Sequence, residues 1–155
     1  MSKAFTREDD DAGFELVSRL PVVKGPITAI GARVAAEKAA AIAARLAGEI
    51  EPSARAVLEV ERSRAEAFAA APVAVRPTRG DVVSFGAEVR FRDRLGRERI
   101  VLLASADEIG LVPSAASVTS PVARALLGAR VGDVVELDGP QGPESLLVLD
   151  VRFPE

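Results

Sequence analysis

The chain has 155 residues, 48% of them hydrophobic, enough for one ordinary domain or two small ones with a core. It contains no Cys and no His, which excludes thiol chemistry, disulfides, imidazole general bases and the usual zinc ligands. Aromatic residues are 4%, all Phe, and the formal net charge is −3, so the chain has neither a base-stacking platform nor the basic excess of a self-sufficient DNA binder.

Residues 1–26 carry Glu8, Asp9, Asp10, Asp11 and Glu15, lack a repeating period and include Pro21 and Pro26, the pattern of an acidic arm, extended or disordered and flexible. Met1 to Asp11 is too polar for a signal peptide, and no run approaches the length of a membrane span. The expectation is a soluble cytoplasmic protein without a membrane partner.

Residues 27–72 are rich in Ala, Arg, Glu and Leu, and Pro52 divides them. The spacing predicts a helical hairpin of Thr28–Ala47 and Ser53–Ala71, with Thr28 and Ser53 as N-caps and Gly48 as the first stop. Ile27, Ile30, Val34, Ala41 and Leu46 form one apolar stripe; Ala54, Val57, Leu58, Ala65 and Phe68 form the other. Because Ala dominates both, each contact contributes little at roughly 25 cal/mol per Å², and the hairpin is expected to lean on its neighbour. The turn supplies two carboxylates, Glu49 and Glu51.

Residues 73–79 read as a linker, since Pro72 and Pro77 block helix continuation. In residues 80–155 the period becomes two: Val83, Phe85, Ala87, Val89 and Phe91 alternate with polar residues as in a half-buried strand. Asp93 to Gly96 reads as a turn. Ile100–Ala104, Asp133–Leu137 and Leu146–Phe153 read as further strands, the last two joined by the turn-rich run Asp138 to Pro143. Between them lies a short helix, Pro121–Leu127, with Ser120 as N-cap, Pro121 at its first position and Gly128 beyond its end. The fold class is α+β: a helical hairpin followed by a small antiparallel sheet carrying one short helix. Arg90, Arg92, Arg94, Arg97 and Arg99 cluster in the first hairpin of the sheet, either as a solvated face or as a weak nucleic-acid contact.

The run Ser117 to Gly128, with Ser120-Pro121-Val122-Ala123-Arg124-Ala125-Leu126-Leu127-Gly128 at its centre, resembles the Ser-Pro-Ile/Met-Ala-Arg-Ala-Leu-Ile/Leu-Gly helix of the GreA/GreB transcript-cleavage factors of bacterial RNA polymerase. Val131-Gly132-Asp133 is similar to the strand that follows it, Phe85-Gly86-Ala87 to the opening strand, Asp107-Glu108 to the family's Asp-Glu turn and Thr28-Ala29-Ile30-Gly31 to its Thr-x-x-Gly. The opening decapeptide is similar to the start of the GreB-like branch. The resemblance implies an FKBP-like C-terminal domain that docks at the rim of the polymerase secondary channel through Thr119, Ser120, Pro121 and Arg124. Thr119 stands where the family usually has Asp or Asn. It also implies a coiled coil inserted toward the active centre, whose acidic tip in the family helps hold a second magnesium ion.

This chain lacks the family's Asp-Leu-Ser-Glu-Asn-Ala-Glu-Tyr type tip and offers only Glu49 and Glu51 there, on an arm reaching roughly 30 Å at the usual helical rise. A shortened hairpin on the same domain resembles the regulator of nucleoside diphosphate kinase. The implied function is an accessory regulator of elongation that binds RNA polymerase without stimulating cleavage, is not itself an enzyme and carries no cofactor or metal of its own. In the alternative, Glu49 and Glu51 contact polymerase-bound magnesium and stimulate cleavage. A prolyl isomerase is a third, weaker reading suggested only by the FKBP-like fold, which alone does not license function, and without Trp or Tyr an aromatic proline pocket is hard to build.

Overall fold

The computed structural model of the chain describes residues 23–48 and 51–155. The expected acidic arm lies outside the described residues up to residue 22, as does Glu49.

Two 18-residue helices, α1 (Ala29–Leu46) and α2 (Pro52–Ala69), form the hairpin. Thr28 is extended and its hydroxyl accepts from the Gly31 N–H at 3.0 Å, the expected cap. The buried stripe of α1 is Gly31, Ala35, Ala39, Ile42 and Leu46, at helical spacings of three and four. Ala41, expected on this stripe, is exposed, while Ile30 and Val34 turn toward the sheet. On α2 only Leu58 and Ala65 are buried; Ala54 and Val57 face solvent. Ile42, Leu46 and Leu58 make the hairpin's own small core.

The start of α2 departs from expectation. Pro52 occupies the first helical position and Glu51, not Ser53, is the cap, accepting from the N–H groups of Ser53 (3.1 Å) and Ala54 (3.3 Å). Proline suits that position because it has no N–H to leave unpaired and its φ is already helical. Ser53 is thereby drawn inside the helix.

The two ends of the hairpin are tied together: Ile27 N–H donates to the Pro72 carbonyl (2.9 Å), and Ala74 N–H donates to the Ile27 carbonyl (2.8 Å). The C-terminal part is a five-stranded sheet of β1 (Glu88–Arg92), β2 (Glu98–Ala104), β3 (Ala115–Ser117), β4 (Val134–Gly139) and β5 (Gly142–Arg152), in the order β3-β2-β1-β5-β4. All neighbours are antiparallel except β3, a short strand not foreseen, which runs parallel to β2. Helix α3 (Pro121–Leu126) covers one face, where Ala123 and Leu126 pack with Val89, Phe91, Leu103 and Val148.

The alternation from Val83 to Phe91 is not one strand. Gly86 takes a left-handed φ of +82°, and the segment before it pairs elsewhere: Val83 N–H donates to Ala129 O and Gly128 N–H donates to Val83 O, both at 2.8 Å. Val83 and Ala87 still enter the same core, so the period of two was a burial signal without strand continuity. The β4–β5 turn is also tighter than expected, because the strands pair up to Gly139 and Gly142.

The opposite face of the sheet holds a second cluster, Leu102, Ala104 and Val112, covered by Ile30 and Val34 of α1. The hairpin therefore sits on the sheet's far side from α3, since residues 102 and 103 of one strand point to opposite faces. The hairpin does lean on its neighbour.

Candidate functional site

Helix α3 buries Ala123 and Leu126 completely, which turns Pro121 and Arg124 outward. Ser120 is its N-cap: the hydroxyl accepts from Ala123 N–H at 3.3 Å, and the Ser120 carbonyl accepts from Arg124 N–H at 3.0 Å. Thr119 is exposed, and its hydroxyl shares a 2.8 Å hydrogen bond with that of Ser117. Ser120 N–H donates to Ser117 O at 2.8 Å. The loop before α3 is thus held by its own hydrogen bonds, and Thr119, Pro121 and Arg124 form one contiguous, pre-ordered exposed edge with a single cation.

Two apolar side chains that follow α3 in the chain are also exposed. Leu127 is 40% exposed and Val131 is 55% exposed. Neither was singled out from the sequence. The available signal was the Leu126-Leu127 doublet, because a helix of this length packed on a sheet buries only one of two adjacent leucines.

The arginine cluster divides. Arg97 pairs with the buried Asp93 at 2.8 Å and Arg92 with Glu98 at 2.6 Å, while Arg90, Arg94 and Arg99 form no ion pair among the described residues. Asp93 also accepts from the Leu95 and Arg97 N–H groups at 2.9 and 3.0 Å. Burial alone would raise the Asp93 carboxyl; the hydrogen bonds from Arg97 and Leu95 and the Arg97 charge together outweigh it and hold the group below its usual value.

At the far end of the hairpin, the Oε2 atom of Glu51 accepts from Ser53 N–H, Ala54 N–H and the Ser53 hydroxyl. The Ser53 hydroxyl is the largest cause that lowers its carboxyl below the usual value. Three donors on one oxygen turn the carboxylate back onto its own helix. Among the described residues no three acidic side chains come together as a metal site. Glu51 and the α3 edge are not brought together, since Glu51 lies beyond the full length of α1, about 27 Å from its start at the usual helical rise.

A third feature was only partly legible. Glu108 is fully buried at the end of the single 3₁₀ turn Ala106–Glu108. Its Oε1 accepts from the Thr28 N–H (3.0 Å) and the Thr28 hydroxyl, and its Oε2 accepts from the Ser105 N–H (2.9 Å). The Thr-x-x-Gly and Asp-Glu motifs, far apart in sequence, form one joint. No described helix is long and apolar enough to cross a membrane.

A family model described as the C-terminal part of the transcription elongation factors GreA/GreB matches residues 77–153. Transcription elongation factor GreA of Beijerinckia indica is 36% identical over 112 residues, covering 72% of this chain and 68% of that protein. GreA of Nitratidesulfovibrio vulgaris is 40% identical over 75 residues, 48% of this chain and 46% of the relative. GreB of Neisseria meningitidis is 41% identical over 73 residues, 47% and 45% of the two chains; this chain thus spans just under half the length of those last two relatives. Among solved structures, GreA factor homolog 1 of Thermus thermophilus is 24% identical and covers 83% of this chain and 98% of its own, with a TM-score of 0.41. A GreA/GreB factor from Nitrosomonas europaea is 28% identical, covering 75% and 93%, with a TM-score of 0.43.

Proposed function

Since the chain belongs to the GreA/GreB family of transcription elongation factors, we propose that it binds bacterial RNA polymerase through its C-terminal part and occupies the secondary channel without stimulating transcript cleavage. Thr119, Ser120, Pro121 and Arg124 make the docking contact. Capping holds Ser120 and Pro121 in place, leaving the exposed Thr119, Pro121 and Arg124 edge rigid before binding, which lowers the ordering cost of association.

The observation that carries the non-cleaving reading is the engagement of Glu51. Activation of a water at a metal needs carboxylate oxygens aimed away from the protein. Here one oxygen of the only described tip carboxylate serves as a helix cap. The protein is then an accessory factor working in the cytoplasm, and any RNA hydrolysis belongs to the polymerase active site. Contact with nucleic acid occurs only within the transcription complex.

A backtracked elongation complex carrying a labelled transcript tests this reading. The expected result is no 3′ shortening by this protein, together with suppression of the shortening caused by an added GreA. Shortening that depends on this protein, and is abolished by Glu49→Ala with Glu51→Ala, overturns it in favour of a cleavage-stimulating factor.

A further inference from the structure

The hairpin and the sheet meet over a small area. An apolar cluster there joins Ile30 and Val34 of α1 to Leu102, Ala104, Leu111, Val112 and Ala115. Clefts of about 220 Å³, lined by Lys38, Arg64 and Asp107 among others, and about 370 Å³, lined by Ala74, Phe85 and Phe153 among others, border the same junction. Small, partly open junctions between two units of a chain leave relative motion as the default.

Against that default stands one buried carboxylate. Glu108 gives one oxygen to the hairpin, at Thr28, and the other to its own segment, at Ser105 N–H. No Lys or Arg pairs with it among the described residues. Its desolvation is therefore offset by these three donors, two of which exist only while the hairpin is seated. Gly31 provides the room: a Cβ there would stand 2.1 Å from Glu108 Oε1 and 2.9 Å from its Cδ. The same Thr28 hydroxyl accepts from Gly31 N–H, so the atom that starts α1 also donates to the carboxylate of the sheet domain.

We infer that Glu108 is a positioning residue, a latch through Thr28 that fixes the direction in which the hairpin leaves the C-terminal domain. Hydrogen bonds supply what the apolar contact does not, because they are directional and are lost on a small rotation. The consequence for transcription rests on the channel-binding reading above; the latch itself does not. Without it the C-terminal domain still docks, but the hairpin samples directions that miss the channel.

The chain has no native Cys, so spin labels at Ala44→Cys, on the exposed side of α1, and Asp138→Cys, on β4, report the hairpin's direction cleanly. Pulsed dipolar spectroscopy on the full chain is expected to give one narrow distance distribution for the parent. In Glu108→Ala the width at least doubles. Glu108→Gln, which keeps an oxygen for Thr28 but turns an N–H₂ toward Ser105 N–H, falls between. Circular dichroism reports whether each variant folds; should Glu108→Ala unfold, Glu108→Gln decides. Unchanged widths in the folded variants overturn the latch.

The polymerase arm uses the same proteins. Glu108→Ala is expected to remain in a core-polymerase pull-down while its suppression of GreA-dependent cleavage falls at least tenfold. Suppression equal to the parent's in a variant with a broadened distribution overturns the positioning role. A parent that neither binds nor suppresses defeats the channel-binding reading, and the distance widths still decide the latch.

Discussion

The carboxylate of Glu108 and the backbone N–H of Thr28, 80 residues apart in the chain, lie 3.0 Å from each other in a buried site. Thr28 caps α1 and anchors the hairpin with the same hydroxyl, so the start of the helix and the attachment of the hairpin are one structural event.

Gly31 supplies the sharpest test of that geometry. In an ordinary helix, Gly→Ala stabilises by about 0.5–1 kcal/mol. Gly31→Ala is expected to reverse the sign and cost about 1–3 kcal/mol, because the new methyl displaces a buried carboxylate from its donors. Gly25→Ala, where no atom lies within 4 Å of the added Cβ, is the control. Urea denaturation of both variants measures it, and a Gly31→Ala chain as stable as the parent contradicts the packing described.

Arg124 is exposed on α3 and forms no ion pair among the described residues. Arg124→Ala is expected to cost under about 1 kcal/mol of stability, through loss of a cation in the last turn of a short helix. Affinity for core polymerase should fall on the order of tenfold, as for an interface arginine. Titration of labelled protein with polymerase reads the second effect; equal affinity removes Arg124 from the docking edge.

The hairpin's own core is three residues, Ile42, Leu46 and Leu58. Leu58→Ala is expected to destabilise by about 2 kcal/mol, the low end for such a truncation, since the surrounding alanines and solvent close part of the void. Helical ellipticity should melt earlier, while amide signals of β1, β2 and β5 persist at that temperature. Simultaneous loss of both would show that the hairpin and the sheet unfold as one unit.

Acid titration separates two turns. The Asp93 and Glu51 carboxyls are both held below their usual values, so each contributes stability that is complete above the usual carboxylate range. That contribution is lost as pH falls through the lower, folded value. The amide shifts of Leu95 and Arg97 should move with Asp93, and those of Ser53 and Ala54 with Glu51, both on the acid side of the usual carboxylate range. Amides that shift within the usual carboxylate range would show that neither carboxyl is held by its donors.

Much of the fold was legible because its cues act within a turn or two of chain. Ser120, Pro121 and Gly128 mark the limits of α3 by capping chemistry, and Thr28 does so for α1. The switch from a helical period to a period of two separated hairpin from sheet, and the Ser120 to Gly128 run pointed to the family. Local cues failed where two of them competed over a few residues. Ser53 is an excellent cap, but Pro52 claims the first helical position and passes the cap to Glu51. Val83 to Phe91 alternates like one strand, yet the left-handed turn at Gly86 sends its first part to pair with residues 128–130. Only the tertiary structure decided that Glu108 is buried, that Gly31 is a site of close approach, and that β3 pairs in parallel with β2. Each depends on segments many residues apart being placed within a few ångströms, and neither periodicity nor propensity carries that distance; the buried contact of Glu108 with Thr28 exists because the hairpin and the sheet have already met.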